Sequence, residues 1–334
     1  MSNSGIRIGI SAIFDPRITS HGRTLLRSVE LFRNHCAPHF PITYEFGDDN
    51  ADPQTAIRIA EGFVKRSVDV VVGHFSSDAA VAAAPIYDAN GIPLLLPAAT
   101  TSSVTENNSN AFRICPNDTA LARRLLSFVI QRGWSRIHIS SDESLHGKTL
   151  AAEIRMQAKR STVQLTSIAS TADALVFAGR LAASCRFVST MRAQRSNAPI
   201  ILTDDAASTS LSSLIENPGE LHVLSFAPAH SIAQGQRFCD LHRLTYGADP
   251  DVYALEAFAA LQIAADAKTN NQSMLHAISE GAFDTAIGLV RFHRGEREGA
   301  PHGLWKVENE GIVFKTLVKD RVSINRIKEE TVAH

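Results

Sequence analysis

Features that would indicate several protein classes are absent from this chain of 334 residues. No apolar run reaches the roughly 20 residues that a membrane-spanning helix requires. The 33 basic residues are balanced by 34 acidic residues, which leaves a formal net charge of -1. Such a balance supplies no basic field to attract nucleic acid or an anionic bilayer. We therefore expect neither nucleic-acid binding nor membrane insertion.

The chain also lacks the motifs of metal, redox and cofactor sites. Its four cysteines are far apart and form no C-x-x-C pair, so we expect separate thiols of the kind found in a reducing compartment. Its 13 histidines include no H-E-x-x-H motif and no pair at ligand spacing beside a carboxylate. The sequence predicts no metal site and no cofactor. The cysteines are Cys36, Cys115, Cys185 and Cys239.

Catalytic motifs are missing as well. There is no P-loop and no G-x-G-x-x-G fingerprint, and the sequence GHFSS at 73–77 does not match the G-x-S-x-G nucleophile elbow. Asp204 and Asp205 are adjacent, and adjacent side chains on a strand point to opposite faces, which is poor geometry for an acid and base pair. We therefore expect a protein that is not an enzyme.

What the sequence does contain is an alternation of strand and helix patterns. With 44% hydrophobic and 20% charged residues, the chain can fill one large core or two ordinary cores, and its length suggests two lobes. A first α/β unit runs to about residue 115, and the pattern restarts near residue 117. The predicted strands of the first unit are 6–12, 42–46, 68–73 and 93–97, and its predicted helices are 22–34, 53–66 and 78–90.

The second unit contains one connection that is too short. In this unit we expect strands at 136–140, 163–168, 174–178 and 199–203, and helices at 119–132, 148–159 and 182–195. After Pro250 we expect two further helices, at 253–268 and 272–280. Only about five residues join the strands at 163–168 and 174–178, whereas a parallel crossover needs roughly a dozen. Either one of these segments is not a strand or the second unit lacks a layer element. Residues 304–307 and 312–315 are predicted to form a hairpin around the turn 308–311, because its Asn309 and Gly311 favour turn dihedral angles.

Two short apolar runs, 70–72 and 94–96, are each followed by small hydroxyl-bearing residues. The carboxyl ends of neighbouring parallel strands form the crevice where ligands bind, and small residues there let backbone N–H groups approach an anion. We therefore expect a ligand carboxylate to bind between Ser77 and Thr100.

Several segments, taken in order, resemble one known family over nearly the whole chain. They are Ile8-Gly9-Ile10, GDDNADP at 47–53, VGHFSS at 72–77, PAAT at 97–100, Phe112-Arg113, His146-Gly147 and FDTAIGLVRF at 283–292. The chain resembles the type I periplasmic binding proteins of the leucine/isoleucine/valine-binding family. The resemblance implies an α/β fold with two doubly wound parallel-sheet lobes joined by three crossovers, near 115–117, 247–250 and 299–303. The lobes would comprise residues 1–117 with 250–302, and 118–249 with 303–334.

The resemblance also implies a binding site for an α-amino acid. The hydroxyl and N–H of Ser77, beside Ser76, and the N–H groups of Ala98 and Thr100 match the positions that hold the ligand's carboxylate. The ammonium group would be held by the Ala98 carbonyl, the Thr100 hydroxyl and Asp205 from the second lobe. A buried ammonium needs such a carboxylate partner. Helix capping is the alternative role for Ser77 and Thr100.

At the side-chain end of the pocket, family positions that are often aromatic match His21, His146 and Arg180. These residues predict a polar ligand side chain, anionic or amide-bearing, over leucine. The alternatives are loop or surface positions for the histidines and a solvent-facing Arg180. Asp204 replaces Asp205 if the alignment shifts by one residue, and either aspartate could instead cap a loop.

Exported members of the family commonly carry a disulfide, whose two positions match Ala51 and Ser76. Loss of that pair is expected where thiols stay reduced, and the chain enters its first strand without a leader-like segment. We therefore expect a cytoplasmic protein, similar to an amide receptor that acts through a partner regulator. A periplasmic protein whose leader was removed, delivering its ligand to an ABC permease, is the alternative.

Overall fold

The computed structural model describes residues 5–17, 19–36, 38–269, 272–308 and 311–318. Within these ranges the strands form two seven-stranded, mostly parallel sheets and one two-stranded sheet. Helices cover the two large sheets, as expected for βα alternation. The predicted fold class, two parallel-sheet α/β lobes, is confirmed.

The first half of the chain follows the predicted order of elements closely. β1 has the predicted bounds, and α2 begins at Pro53 with Asp52 as its N-cap, whose carboxylate accepts a hydrogen bond from the Thr55 N–H at 2.7 Å. The elements are β1 (Ile6–Ala12), α1 (His21–His35), β2 (Ile42–Asp48), α2 (Pro53–Lys65), β3 (Val70–Val72), α3 (Ser77–Ala89), β4 (Leu94–Leu96), α4 (Ser103–Asn107) and β5 (Ala111–Arg113).

The rest of the chain supplies the second large sheet and the elements that return to the first. None of the described helices is both long and apolar enough to cross a membrane. The elements are α5 (Asp118–Gln131), β6 (Arg136–Ser141), α6 (Leu145–Lys159), β7 (Gln164–Leu165), β8 (Ala174–Ala178), α7 (Leu181–Ala193), β9 (Ile200–Leu202), β10 (Leu221–Phe226), α8 (Gln236–Tyr246), α9 (Ala254–Lys268), α10 (Met274–Glu280), β11 (Phe283–Thr285), β12 (Gly288–Val290), β13 (Phe292–His293), β14 (Glu296–Arg297), β15 (His302–Glu308) and β16 (Gly311–Val318).

Both large sheets place their apolar strands in the middle. The first has the strand order β13-β14-β5-β4-β3-β1-β2, and the second has the order β16-β15-β10-β9-β8-β6-β7. The three residues of β3 and the three of β4 are fully buried, which is typical of parallel strands covered by helices on both faces. The carboxyl ends of β3 and β4 therefore meet at one edge, where the sequence analysis expects the ligand.

The short connection before β8 is explained by a missing helix. β7 is only two residues long, is exposed and pairs with β6, while β8 pairs with the other side of β6. A single 3₁₀ turn at Ala169–Thr171 lies between them, whereas β2 and β3 of the first lobe are joined by the 13-residue α2. Of the two alternatives, the second lobe lacks a layer element, and β7 is also shorter than predicted.

The two strands of the predicted C-terminal hairpin are confirmed. β15 and β16 pair antiparallel, with Val307 opposite Ile312. The turn residues Asn309 and Glu310 lie outside the described residues. Residues 204–249 carried no assignment in the sequence analysis, yet they contain β10 and α8, and β11 to β14 were likewise not predicted.

Helix α8 packs with the first lobe. Phe238 contacts Phe258 of α9 at a ring-centroid distance of 4.9 Å, and the Tyr246 hydroxyl donates to Glu30 of α1 at 2.7 Å. The chain therefore returns to the first lobe between β10 and α8, ahead of the crossing expected at 247–250. The predicted range 118–249 had placed this helix in the second lobe. The other bounds of the two lobes stay a prediction.

A fully buried polar network supports the end of β3. His74 follows Gly73, whose φ of +137° suits glycine and whose hydrogen atoms face the Ser11 carbonyl, where a side chain would clash. His74 Nδ1 lies 2.7 Å from Asp49 Oδ2, and His74 Nε2 lies 3.0 Å from the Tyr87 hydroxyl. The Ser11 hydroxyl donates to the same Asp49 oxygen at 2.9 Å. These bonds connect β1, β3 and α3 beneath the candidate ligand site.

Candidate ligand-binding cleft

The first-lobe wall of the cleft lies at the carboxyl end of β3. Ser76 caps α3, because its side-chain oxygen accepts a hydrogen bond from the Ala79 N–H at 3.4 Å. Ser77 is therefore the first helical residue, where its N–H has no partner within the helix and the helix dipole favours an anion. The capping role considered for Ser77 thus belongs to Ser76, and the buried Ser77 stays a candidate for the ligand carboxylate.

The loop after β4 supplies the second part of this wall. Ala98 and Thr100 are both buried there. Across the described ranges, the backbone N–H groups of these two residues donate no intramolecular hydrogen bond. The Thr100 hydroxyl lies 3.1 Å from Nδ1 of His146, a residue of the second lobe, and so contacts the other wall. The edge of the first sheet thus presents backbone donors of the kind that a carboxylate accepts.

His146 forms the second-lobe wall opposite Thr100. It is buried in the first turn of α6, which begins after the N-cap Ser144. Its Nε2 lies 3.4 Å from Oδ1 of Asp204. Burial lowers the pKa of His146, but the carboxylates of Asp204 and Asp205 outweigh burial and hold that pKa well above its usual value. The imidazole is therefore a cation that neutralises part of an acidic cluster.

The side chains of Asp204 and Asp205 both face the Tyr253 hydroxyl. β9 ends at Leu202, and the two aspartates lie in a 3₁₀ turn. The Tyr253 hydroxyl donates to Oδ1 of Asp205 at 2.5 Å and lies 3.2 Å from Oδ2 of Asp204. The expectation that these side chains point to opposite faces is therefore wrong, because it assumed a strand. Asp204 is fully buried, while the Asp205 side chain is 13% exposed.

Asp205 also contacts His21 from the first lobe. The distance from His21 Nε2 to Asp205 Oδ1 is 3.8 Å, an ion-pair distance, and the His21 ring packs edge-on against Tyr253. Burial raises the pKa of Asp205, but the charges of His21 and His146 outweigh burial, so the net shift of that pKa is downward. Asp205 is therefore ionised and lies between the two lobes.

Arg180 lies at the rim of the cleft. Its Nη2 is 3.2 Å from Oδ2 of Asp78 in α3, and the arginine side chain is 42% exposed. Oδ1 of Asp78 also accepts a hydrogen bond from the Leu145 N–H at 3.3 Å. Asp78 thus links the first lobe to two elements of the second. The guanidinium expected at the side-chain end of the pocket is engaged in this interlobe contact.

The structure adds two residues that sequence reasoning missed. Asp118 is buried at the start of α5, burial raises the pKa of its carboxyl group, and its Oδ1 has no hydrogen-bond partner within the part of the chain that the structure describes. Tyr253 has a φ of 71°, a left-handed conformation that is uncommon for a bulky residue. The sequence marks neither position, because the first looks like an ordinary helix start and the second like the beginning of a helix.

The resulting cleft places anion-binding backbone beside an acidic cluster. His21 and His146 are paired with Asp205 and Asp204, and Arg180 is paired with Asp78. The donors from which the sequence analysis predicted an anionic or amide-bearing side chain are therefore already engaged by carboxylates. A buried carboxylate is costly unless a positive charge lies close to it, and Asp205, whose ion pair with His21 spans 3.8 Å, is suited to a ligand that brings a positive charge.

The comparisons with known proteins agree with this architecture. A family model described as periplasmic binding protein matches residues 39–203. The Leu/Ile/Val-binding protein homolog 2 of Brucella abortus is 24% identical over 306 residues, which cover 81% of each chain. An amino acid binding protein of Pseudomonas aeruginosa is 26% identical over 241 residues, 64% of each chain.

Solved structures share the fold over almost the whole chain. A leucine-binding protein, LivK, from Thermotoga maritima has a TM-score of 0.85 at 17% identity, covering 94% of this chain and 99% of its own. A solute-binding protein of an ABC transporter from R. palustris, in complex with benzoate, has a TM-score of 0.83 at 15% identity, covering 96% and 98%. Together these comparisons support a type I periplasmic binding protein of the Leu/Ile/Val-binding family, and the relatives and solved structures named here are solute-binding proteins and not enzymes.

Proposed function

We propose that this protein binds a free α-amino acid or a close analogue between its lobes and closes around it. The observation that carries the proposal is the meeting of two unlike walls. Backbone donors at Ser77 and Thr100 lie on one side, and the ionised Asp205 lies on the other. A zwitterion has one group for each wall.

Each group of the ligand is assigned by charge. The α-carboxylate would accept hydrogen bonds from the Ser77 hydroxyl and from the N–H groups of Ser77, Ala98 and Thr100, where the start of α3 adds a favourable dipole. The α-ammonium would be held by Asp205, the Thr100 hydroxyl and the Ala98 carbonyl. An ammonium that leaves water without a carboxylate partner would be strongly disfavoured.

An aromatic acid is the second candidate, because structures with this fold have benzoate or 4-hydroxybenzoate bound. The same first-lobe donors would accept its carboxylate. Such a ligand brings no cation to Asp204 and Asp205, however, and like charges close together in a buried site repel each other. The acidic wall therefore favours an amino acid.

Closure would draw on the ligand's binding energy. The direct contacts between the lobes include the partly exposed pair of Arg180 with Asp78 and the bond between Thr100 and His146. A partly exposed ion pair contributes at most about 1 kcal/mol. The buried contacts of Asp205 with His21 and Tyr253 also join the lobes, and a ligand that touches both walls would add to these contacts and shift the population toward the closed state.

This chain is similar to substrate-binding proteins of ABC transporters, and that likeness implies a membrane permease as its partner. We propose instead a cytoplasmic location, with ligand sensing through a regulator protein as the use of closure. The support is that all four cysteines are free and that the positions matching the family disulfide are Ala51 and Ser76. Cell fractionation of the full-length gene product tests this. Recovery of the protein from the periplasm would favour the permease as partner.

A thermal-shift screen of amino acids, amides and benzoate tests the ligand class. A true ligand at 100 times its Kd stabilises by about 2.7 kcal/mol. At about 2–4 °C per kcal/mol, this corresponds to a shift of several degrees. Thr100→Val, which keeps the shape but removes the hydroxyl, should reduce the shift, while Glu216→Gln, at an exposed position of the second lobe, should not. A shift with benzoate alone would contradict the amino-acid assignment.

A further inference from the structure

We propose that the cleft also binds a divalent transition-metal ion of the Zn²⁺ type through His146, Asp204 and Asp205. The three residues each offer one ligand atom, and these atoms all lie within 4.8 Å of one another. The distance from His146 Nε2 to Asp204 Oδ1 is 3.4 Å. Two ligand atoms that are each about 2.0–2.2 Å from a tetrahedral Zn²⁺ are separated by roughly this distance.

Unsatisfied atoms in the cluster point independently to a missing ligand. Within the described residues neither His146 Nε2 nor Asp204 Oδ1 has a hydrogen bond of good geometry, although both residues are more than nine-tenths buried and the two atoms face each other at 3.4 Å. Buried polar atoms in native proteins are almost always satisfied, so each exception needs an explanation. A cation between these two atoms would satisfy both at once.

The surroundings prepare the cluster for a metal. His146 Nδ1 lies 3.1 Å from the Thr100 hydroxyl, so Nδ1–H could keep this hydrogen bond while a metal ion displaces the Nε2 proton and binds on the side that faces the carboxylates. The Tyr253 hydroxyl donates to Asp205 and lies 3.2 Å from Asp204, so it fixes the orientation of both carboxylates. Such outer contacts to ligating side chains are typical of metal sites.

The ligand set selects the type of ion. Imidazole together with carboxylates suits Zn²⁺ and its neighbours Co²⁺ and Ni²⁺, whereas Mg²⁺ and Ca²⁺ prefer oxygen ligands alone. Three protein ligands leave the fourth tetrahedral position open. Metal spacing motifs could not reveal this site, because His146 and the two aspartates come from elements far apart in the sequence.

This inference goes beyond the proposed amino-acid function but shares Asp205 with it. A metal ion and an α-ammonium group would compete for the same carboxylate, so the amino acid should weaken metal binding and the metal should weaken amino-acid binding to the same extent. Amino-acid binding measured in the presence of a chelator tests the proposed function by itself, so a failure of the metal proposal would not count against it.

The test is calorimetric titration of the full chain with Zn²⁺ and absorption spectroscopy with Co²⁺. We expect one equivalent to bind, and we expect His146→Ala and Asp205→Asn to weaken binding on the order of 100-fold. His276→Ala, which removes an exposed histidine, should leave it unchanged. Asp205 is the more exposed carboxylate, so its variant should fold even if His146→Ala does not. The absence of stoichiometric binding, or unchanged affinity in Asp205→Asn, would overturn the proposal.

Discussion

Replacing Asp49 with asparagine should destabilise the first lobe strongly. Asp49 and His74 are both fully buried, with Nδ1 and Oδ2 2.7 Å apart, and Asp49 also accepts hydrogen bonds from the Ser11 hydroxyl and the Ala51 N–H at 2.9 Å. Removing one partner of a buried pair costs about 3–5 kcal/mol. At about 2–4 °C per kcal/mol, the melting temperature should fall by roughly 6 °C or more at pH 7.

The pH dependence of this variant supplies a second readout. Burial raises the pKa of Asp49, but the hydrogen bond and charge of His74, together with the Ala51 N–H and Ser11, lower it below the ordinary 3.8. A carboxylate with a depressed folded pKa stabilises the protein above its unfolded pKa and loses that contribution as the pH falls through its folded pKa. The difference between wild type and Asp49→Asn should therefore shrink below about pH 4.

The matched control is the neighbouring, exposed Asp48. Asp48→Asn keeps an oxygen for the bond from the Asn50 N–H, so its unfolding free energy should stay within about 0.5 kcal/mol of wild type. Thermal and urea denaturation at pH 7 and at pH 3 provide the measurement. A loss below about 1 kcal/mol in Asp49→Asn, or an equal loss in both variants, would refute the account of this network.

Further predictions concern the rim, a helix cap and the thiols. Arg180→Ala removes the exposed contact to Asp78 and should weaken ligand affinity by less than about fivefold in calorimetry, since such a pair contributes at most about 1 kcal/mol; complete loss of binding would contradict the rim assignment. Ser76→Ala removes the cap of α3 and should cost about 1 kcal/mol in urea denaturation, and no change would count against it. Cys36 is only partly buried and should react with a thiol reagent before the buried Cys115, whose thiol pKa is held well above its usual value by burial; the reverse order would be inconsistent with the fold.

The strand and helix periods predicted the first lobe well because its signals are local. β1 has isoleucine at every second position from Ile6 to Ile10, and Asp52 with Pro53 marks the start of α2 in a way that needs no long-range information. The same locality placed Ser77 and Thr100 at neighbouring strand ends, since that inference needs only the order of βα units.

The second-lobe wall could not be predicted to the same depth. The side chains of Asp204 and Asp205 share one face because β9 stops at Leu202 and a 3₁₀ turn follows, which no period reveals. Tyr253 meets them only through the packing of α9 against the first lobe. Helix α8 was also not predicted, and its apolar face does not show from the sequence alone which lobe the helix packs against.

Calorimetric titration of Asp205→Ala, with the amino acid that gives the largest thermal shift in wild type, tests the central claim most directly. The account predicts that this variant still unfolds cooperatively, at a midpoint lowered by the lost contacts to Tyr253 and His21, and shows no measurable binding because the ammonium group has lost its charged partner. Glu216→Gln, titrated in parallel, should bind like wild type. Unchanged affinity in Asp205→Ala would contradict the claim that the two lobes hold opposite ends of a zwitterion.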